Sequence, residues 1–303
     1  MNVKKISVLL IVLLLITSLI ACNDTTFDEA LNVVEVEEVA KVFLDGNAIV
    51  IDARGEEAYN EGHVKGAICL SPSDLVVDKP VPAMVAPKAK VERVLSAKGI
   101  SNDSTVYIYD DNGGVSAFRL WWTMKLYGHE DVKVINGGFE AMWSASSTGL
   151  KGSSTATELE ATDYVAQDAD ASMIIDFESL TAITEDEEST VKIIDVRSIA
   201  EYDAGSIPGA ILYPHSKNLY SDGTFMSGRD MLLFYSDKDI KKEDELVLYC
   251  KSSFRATQTM ALLQEAGYEN IKIYDGAWLE WEAMGGESNS AEDSAPVTQQ
   301  DGS

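Results

Sequence analysis

Short apolar runs alternate with longer amphipathic stretches through most of this chain. Ala48–Ile51, Thr105–Tyr109, Val132–Ile135, Ile193–Ile194, Leu246–Tyr249 and Ile271–Tyr274 are rich in β-branched and aromatic residues and end on polar or glycine positions, which predicts buried strands. Between them, Val33–Phe43, a stretch through Trp121, Trp122 and Leu126 to Gly128, and Ala256–Ala266 before Gly267 carry helical spacing with glycine stops. Strands apolar on both faces and separated by helices predict an α/β fold of mainly parallel sheets flanked by helices.

The pattern occurs twice. Asp52, Arg54, Tyr59, Gly62, Gly66 and Ala67 recur as Asp195, Arg197, Tyr202, Gly205, Gly209 and Ala210, each 143 positions later. Two tandem domains are therefore expected, over residues 31–150 and 173–285. Residues 151–172, rich in Ser, Thr, Ala and Asp, read as a linker, and 286–303 as an acidic disordered tail. Trp121, Trp122, Trp278 and Trp281 sit at helical or turn positions and are expected in the core. The strand-end alignment pairs Asp110 with Cys250, so only the second copy carries a thiol there.

The N-terminus reads as a processing segment. Met1–Lys5 is basic, Ile6–Ile20 is apolar but short for a spanning helix, and Leu19-Ile20-Ala21-Cys22 resembles the bacterial lipobox. Residues 1–21 are accordingly expected to be a lipoprotein signal peptide, Cys22 the lipidated residue, and 22–30 a tether. The partner this implies is a membrane, with the body outside the cytoplasm. The net charge of −26 argues against nucleic acid, and any anion site on such a chain must be locally positive. His63, His129 and His215 are scattered without metal-ligand spacing, so neither a metal nor a cofactor is expected. His129, after Gly128 at a helix end, reads as structural, its protonated form favoured by the helix dipole; His215 receives no role.

Candidate chemistry concentrates at Cys250-Lys251-Ser252-Ser253-Phe254-Arg255, between a buried strand and a helix start. Loop N–H groups and the helix dipole converge at such a place and favour an anionic, nucleophilic sulfur. Arg255 adds a permanent positive charge suited to an oxyanion. The competing reading is a buried core cysteine, and Cys69, lacking such surroundings, is expected to be one rather than a disulfide partner.

Together, the Asp-x-Arg strand ends, the Gly-(His/Ser)-(Val/Ile)-x-Gly-Ala turns, the cysteine-led loop and the Asp275-Gly276-Ala277-Trp278 turn resemble the rhodanese sulfurtransferases in their tandem form. The resemblance implies that the Cys250 thiolate takes sulfane sulfur from a small anionic donor, thiosulfate or 3-mercaptopyruvate, and passes it from a persulfide to cyanide or a thiol. Lys251, Ser252, Ser253, Phe254 and Arg255 become the substrate loop, and Arg197 matches the family arginine that contacts substrate, unless it pairs with Glu201. Likeness to the mercaptopyruvate enzymes implies a relay from Ser252 to His63 and Asp52 across the domains; the alternative is that Asp52 pairs with Arg54 and His63 caps a turn. Ser253 departs from the family glycine and is expected to constrain the loop backbone. The Phe254-Arg255-Ala256-Thr257 ending is closer to single-domain members. A cysteine phosphatase is disfavoured because its Cys-x5-Arg loop is one residue longer than the spacing from Cys250 to Arg255. A persulfide carrier or redox-sensing lipoprotein uses the same loop and is separated from an enzyme by turnover.

Overall fold

The computed structural model describes Phe27 and residues 30–289. The expected signal segment, Cys22, most of the expected tether and residues 290–303 lie outside the described residues. In the first half the chain runs β1 (Val33–Val34), α1 (Val36–Leu44), β2 (Ile49–Asp52), α2 (Glu56–Glu61), β3 (His63–Val64), β4 (Ile68–Cys69), β5 (Val76–Val77) and β6 (Met84–Val85). It continues α3 (Lys88–Ala97), β7 (Val106–Tyr109), α4 (Val115–Leu126), β8 (Val132–Ile135), α5 (Gly138–Ser144) and β9 (Gly152–Ser153). The second half runs β10 (Ile174–Ile175), α6 (Phe177–Glu185), β11 (Lys192–Asp195), α7 (Ile199–Ala204), β12 (Ile211–Leu212) and α8 (Gly228–Ser236). Then come β13 (Leu246–Tyr249), α9 (Phe254–Glu265), β14 (Ile271–Tyr274) and α10 (Ala277–Ala283).

Two five-stranded sheets result, with orders β1-β8-β7-β2-β4 and β10-β14-β13-β11-β12, parallel throughout. The second order repeats the first strand for strand. The central strands β7 (Val-Tyr-Ile-Tyr) and β13 (Leu-Val-Leu-Tyr) are buried along their whole length, as parallel strands covered on both faces must be. Every strand of a sheet ends on the same edge, and the loops that follow β7 and β13 emerge there. In open α/β sheets that edge is where ligands bind.

The two halves share one core. Helices α4 and α9 pack on each other, and Phe118, Trp121 and Trp122 join Met260, Leu262 and Leu263 in one continuous apolar cluster. Trp281 is buried in the second half, whereas Trp278 is half-buried against Arg197, its ring 4.4 Å from the guanidinium.

Two stretches differ from the sequence expectation. The polar segment 151–172 is no free linker: β9 pairs with β3, and Thr162, Val165, Gln167 and Asp170 bond to α3, the loop after it and the end of α4, with Tyr164 and Ala166 buried. Composition hid this because the strap is tied mostly by hydrogen bonds, and only Tyr164 and Ala166 among its apolar side chains are buried. The tail also begins ordered, since Asn289 exchanges backbone hydrogen bonds with Ser206, and Glu287 accepts from the Trp281 indole at 2.7 Å.

Candidate active site

The Cys250 loop is short because β13 ends at Tyr249 and α9 starts at Phe254. Two N–H groups at the start of α10 grip it: Trp278 donates to the Cys250 carbonyl at 3.0 Å and Leu279 to that of Lys251 at 3.2 Å. Cys250 is 1% exposed at the loop floor, Ser252 is half-buried and Lys251 exposed. Ser253 caps α9 in the left-handed region, at φ 63°, so the serine takes the positive φ that it was expected to restrict. Among the described residues, none accepts from the N–H groups of Lys251, Ser253 or Ala256. Such donors at a helix start suit a bound anion.

Arg255 is fixed from across the site. Its two terminal nitrogens donate to the two Glu201 oxygens at 2.8 Å each, and Glu201 also accepts from the Ser198 N–H and hydroxyl to cap α7. These bonds, Arg255 first, hold the Glu201 carboxyl down at about 2. They also push the Arg255 pKa up, against burial, with the neighbouring Cys250 adding to the effect. His215 stands on the same edge, its N–H bonded to the Val196 carbonyl at 3.0 Å. Burial and then the Arg255 charge lower its pKa from 6.5, which favours the neutral ring.

Arg197 is not free to meet substrate. It is buried, doubly bonded to Asp195 at 2.6–3.0 Å and to the Gly205 carbonyl at 2.6 Å. Its partner is thus Asp195 and not Glu201, which Arg255 occupies. The Tyr249 hydroxyl completes the cluster by donating to Asp195 at 2.7 Å. The first half repeats it atom for atom: Arg54 binds Asp52 and the Gly62 carbonyl, and Tyr109 donates to Asp52 at 2.7 Å. Both clusters brace the ends of β2 and β11.

The interdomain relay is not assembled. Asp52 is committed to Arg54 and Tyr109. His63 is buried, stacked on Tyr59, with its ring nitrogens facing the carbonyls of Tyr59 at 2.7 Å and Thr155 at 3.1 Å. Neither residue reaches Ser252. Ser253 and Phe254 also turn away from the loop mouth: the Ser253 hydroxyl bonds Asp275 at 2.8 Å, and the Phe254 ring faces the Arg119 guanidinium.

A match to the rhodanese-like domain over residues 35–145 and again over 177–284 agrees with this doubled geometry. The chain belongs to the rhodanese-like sulfurtransferase family. It is 32% identical over 246 residues to a protein of Mycolicibacterium smegmatis named "Putative thiosulfate sulfurtransferase", covering 76% of this chain and 86% of that one. It is 34% identical over 247 residues to a protein of the same name from Saccharopolyspora erythraea, covering 76% and 85%. Among solved structures, SseA of Escherichia coli, described among 3-mercaptopyruvate sulfotransferases, superposes with a TM-score of 0.73 at 24% identity, covering 81% of this chain and 98% of that one. EanB bound to ergothioneine gives 0.77 at 21% identity, covering 88% and 73%. Both structures share the fold of this rhodanese.

Three participants escaped the sequence. Arg119 and Asp275 meet at Ser253 from opposite halves, at 2.6 and 2.8 Å, and His215 has no motif to announce it. A signal for Arg119 did exist: it lies in the helix that repeats α9, at the place of Gln258. Cys69 is only half-buried and opens on a cavity of about 720 Å³ in the first half, away from Cys250, so it is not the fully interior residue expected. Burial raises its pKa, Lys98 opposing. His129 is fully buried, stacked on Tyr164 and donating to the Ser104 carbonyl at 3.0 Å; burial lowers its pKa, so the protonated form expected at the helix end is disfavoured. Among the described residues no cluster fits a metal ion, and no helix is long and apolar enough to cross a membrane.

Proposed function

We propose that this rhodanese transfers sulfane sulfur through a Cys250 persulfide, with thiosulfate as its preferred donor. The Cys250 thiolate attacks the outer sulfur of thiosulfate, the S–S bond breaks and sulfite leaves with the electron pair. Cyanide or a thiolate then attacks the terminal persulfide sulfur, forming thiocyanate or a new persulfide and returning the thiolate. The observation that carries this reading is the loop itself: unclaimed N–H groups at a helix start around one thiol, with Arg255 locked beside it by Glu201. The N–H groups receive negative charge on the persulfide, and Arg255 with exposed Lys251 draws an anionic donor to a chain of net charge −26. Thiosulfate is favoured over 3-mercaptopyruvate because Asp52 and His63, which a proton relay to Ser252 requires, are occupied elsewhere. The names of the two bacterial relatives point the same way.

The test is thiocyanate formation by the full chain in detergent from thiosulfate and, separately, from 3-mercaptopyruvate. Turnover with thiosulfate that vanishes in Cys250→Ser supports the reading. A reduced, alkylatable Cys250 without turnover on either donor replaces the enzyme with a persulfide carrier. We further propose that Cys22 is lipidated and holds both domains against the outer face of a membrane. Intact-mass analysis of the membrane fraction checks this: a diacylglycerol-sized increment absent from Cys22→Ala supports it, and an unmodified Cys22 rejects it.

A further inference from the structure

The first half carries no thiol at its loop, yet it reaches into the one that does. Arg119, on α4, is 1% exposed and extends out of its own half. One terminal nitrogen donates to the Ser253 hydroxyl at 2.6 Å and to Asp275 at 2.7 Å; the other donates to the Ala83 carbonyl at 3.0 Å. The guanidinium lies 4.9 Å from the Trp122 ring and 5.0 Å from that of Phe254. Ser253 Oγ also bonds the Ser252 carbonyl at 2.7 Å. The hydroxyl therefore accepts from Arg119 and has its single proton within reach of two acceptors, Asp275 and the Ser252 carbonyl, at the one loop residue held at positive φ.

The other half supplies an internal control. At the matching helix start the left-handed residue is Gly114, at φ 85°. Gln258, in the place of Arg119, donates to the neighbouring Gly113 carbonyl at 2.6 Å and touches no side chain of that turn. A glycine takes this conformation unaided; a serine needs its side chain held.

We propose that Arg119 is a positioning residue for catalysis: from the first domain it fixes Ser253, and through Ser253 the backbone that presents N–H groups to the Cys250 sulfur. Arg119 touches no substrate. The inference rests on Cys250 being the sulfur-bearing residue. Its content is that the thiol-free domain contributes to turnover by holding the other domain's loop.

Ser253→Ala and Ser253→Gly both delete the hydroxyl and differ in their ease at positive φ. In the full chain, Ser253→Ala is expected to lower kcat for thiosulfate at least about tenfold with KM within about twofold, and Ser253→Gly to lose no more than about threefold. Arg119→Gln should resemble Ser253→Ala, and in the Ser253→Gly background it should cost less than about threefold. Equal turnover in the alanine and glycine variants, or a loss confined to KM, overturns the proposal. If Arg119→Gln does not fold, the serine pair alone decides. Alkylation of Cys250 by iodoacetamide, followed on its peptide by mass spectrometry, separates this inference from the sulfur-transfer reading. Should the wild type turn over no donor, rates that set Ser253→Ala apart from wild type and Ser253→Gly still support the tether, and uniform rates reject it.

Discussion

The loops after β7 (110–114) and β13 (250–253) join matching strands to matching helices, the second one residue shorter, and are put to opposite uses. Each begins with a residue whose carbonyl is held from the next helix, Asp110 by Phe139 at 2.7 Å and Cys250 by Trp278 at 3.0 Å. Each ends on a left-handed cap. In the first loop Asp110 turns its own carboxyl into the cradle and accepts from Gly114 and Ala117 at 2.8 Å and from Asn112 at 3.3 Å. Leu219 and Phe225 from the other half cover it so closely that a Cβ on Gly113 or Gly114 would meet them at 2.8 and 2.7 Å. In the second loop the counterparts of Gly114 and Ala117, Ser253 and Ala256, keep their N–H groups unclaimed. Under the proposed function, a helix-start cradle is structural when the chain fills it and reactive when a thiol leaves it open.

The sharpest way to break this contrast is Cys250→Ser, which should bring thiocyanate formation below about one-thousandth of wild type while leaving the melting temperature nearly unchanged. A smaller loss, about ten- to a hundredfold, is expected for Arg255→Ala, seen in kcat/KM for thiosulfate, because the N–H cradle remains. Asp110→Ala should do the reverse of the cysteine variant. It strands buried N–H donors and is expected to cost about 2–3 kcal/mol in urea unfolding, with turnover of the folded enzyme within about twofold. Loss of activity without loss of stability in Asp110→Ala would erase the distinction between the loops.

The smallest effect concerns acid. Glu201 has a depressed carboxyl pKa, so its contribution to stability is present above its ordinary value near 4.5 and is lost as pH falls towards about 2. Melting curves of wild type and Glu201→Gln should therefore differ at neutral pH and converge through that window. Curves that stay parallel mean that the bidentate pair with Arg255 adds nothing.

Much of this was legible because duplication repeats what matters: the Asp-x-Arg strand ends and the glycine turns recur 143 residues apart and announce two α/β halves, while the strand order came only with the structure. Partner choice was not. Arg197 lies within reach of both Asp195 and Glu201 along the chain, and the outcome depends on Arg255, distant in sequence, which takes Glu201. Asp52 and His63 looked available for a relay because a motif shows residue types and not whether their hydrogen bonds are already used. The strap 151–172 and the start of the tail were missed for a related reason, since backbone hydrogen bonds leave no mark on composition.

Each half also lends an arm to the other. The Val85 N–H, in β6, bonds Asp275 at 2.7 Å, and the Phe225 N–H bonds Asn136 at 2.9 Å. During synthesis, then, the first half is finished as sequence long before it is finished as structure. Until residues near 225 and helix α9 emerge, Gly114 has no cover and the tryptophan face of α4 no partner. A fragment ending at residue 172 should bind a hydrophobic dye that the whole chain excludes, and an equally dye-free fragment would show that the halves mature one after the other. On this arrangement the first half is expected to complete its packing only when the last third of the chain is present.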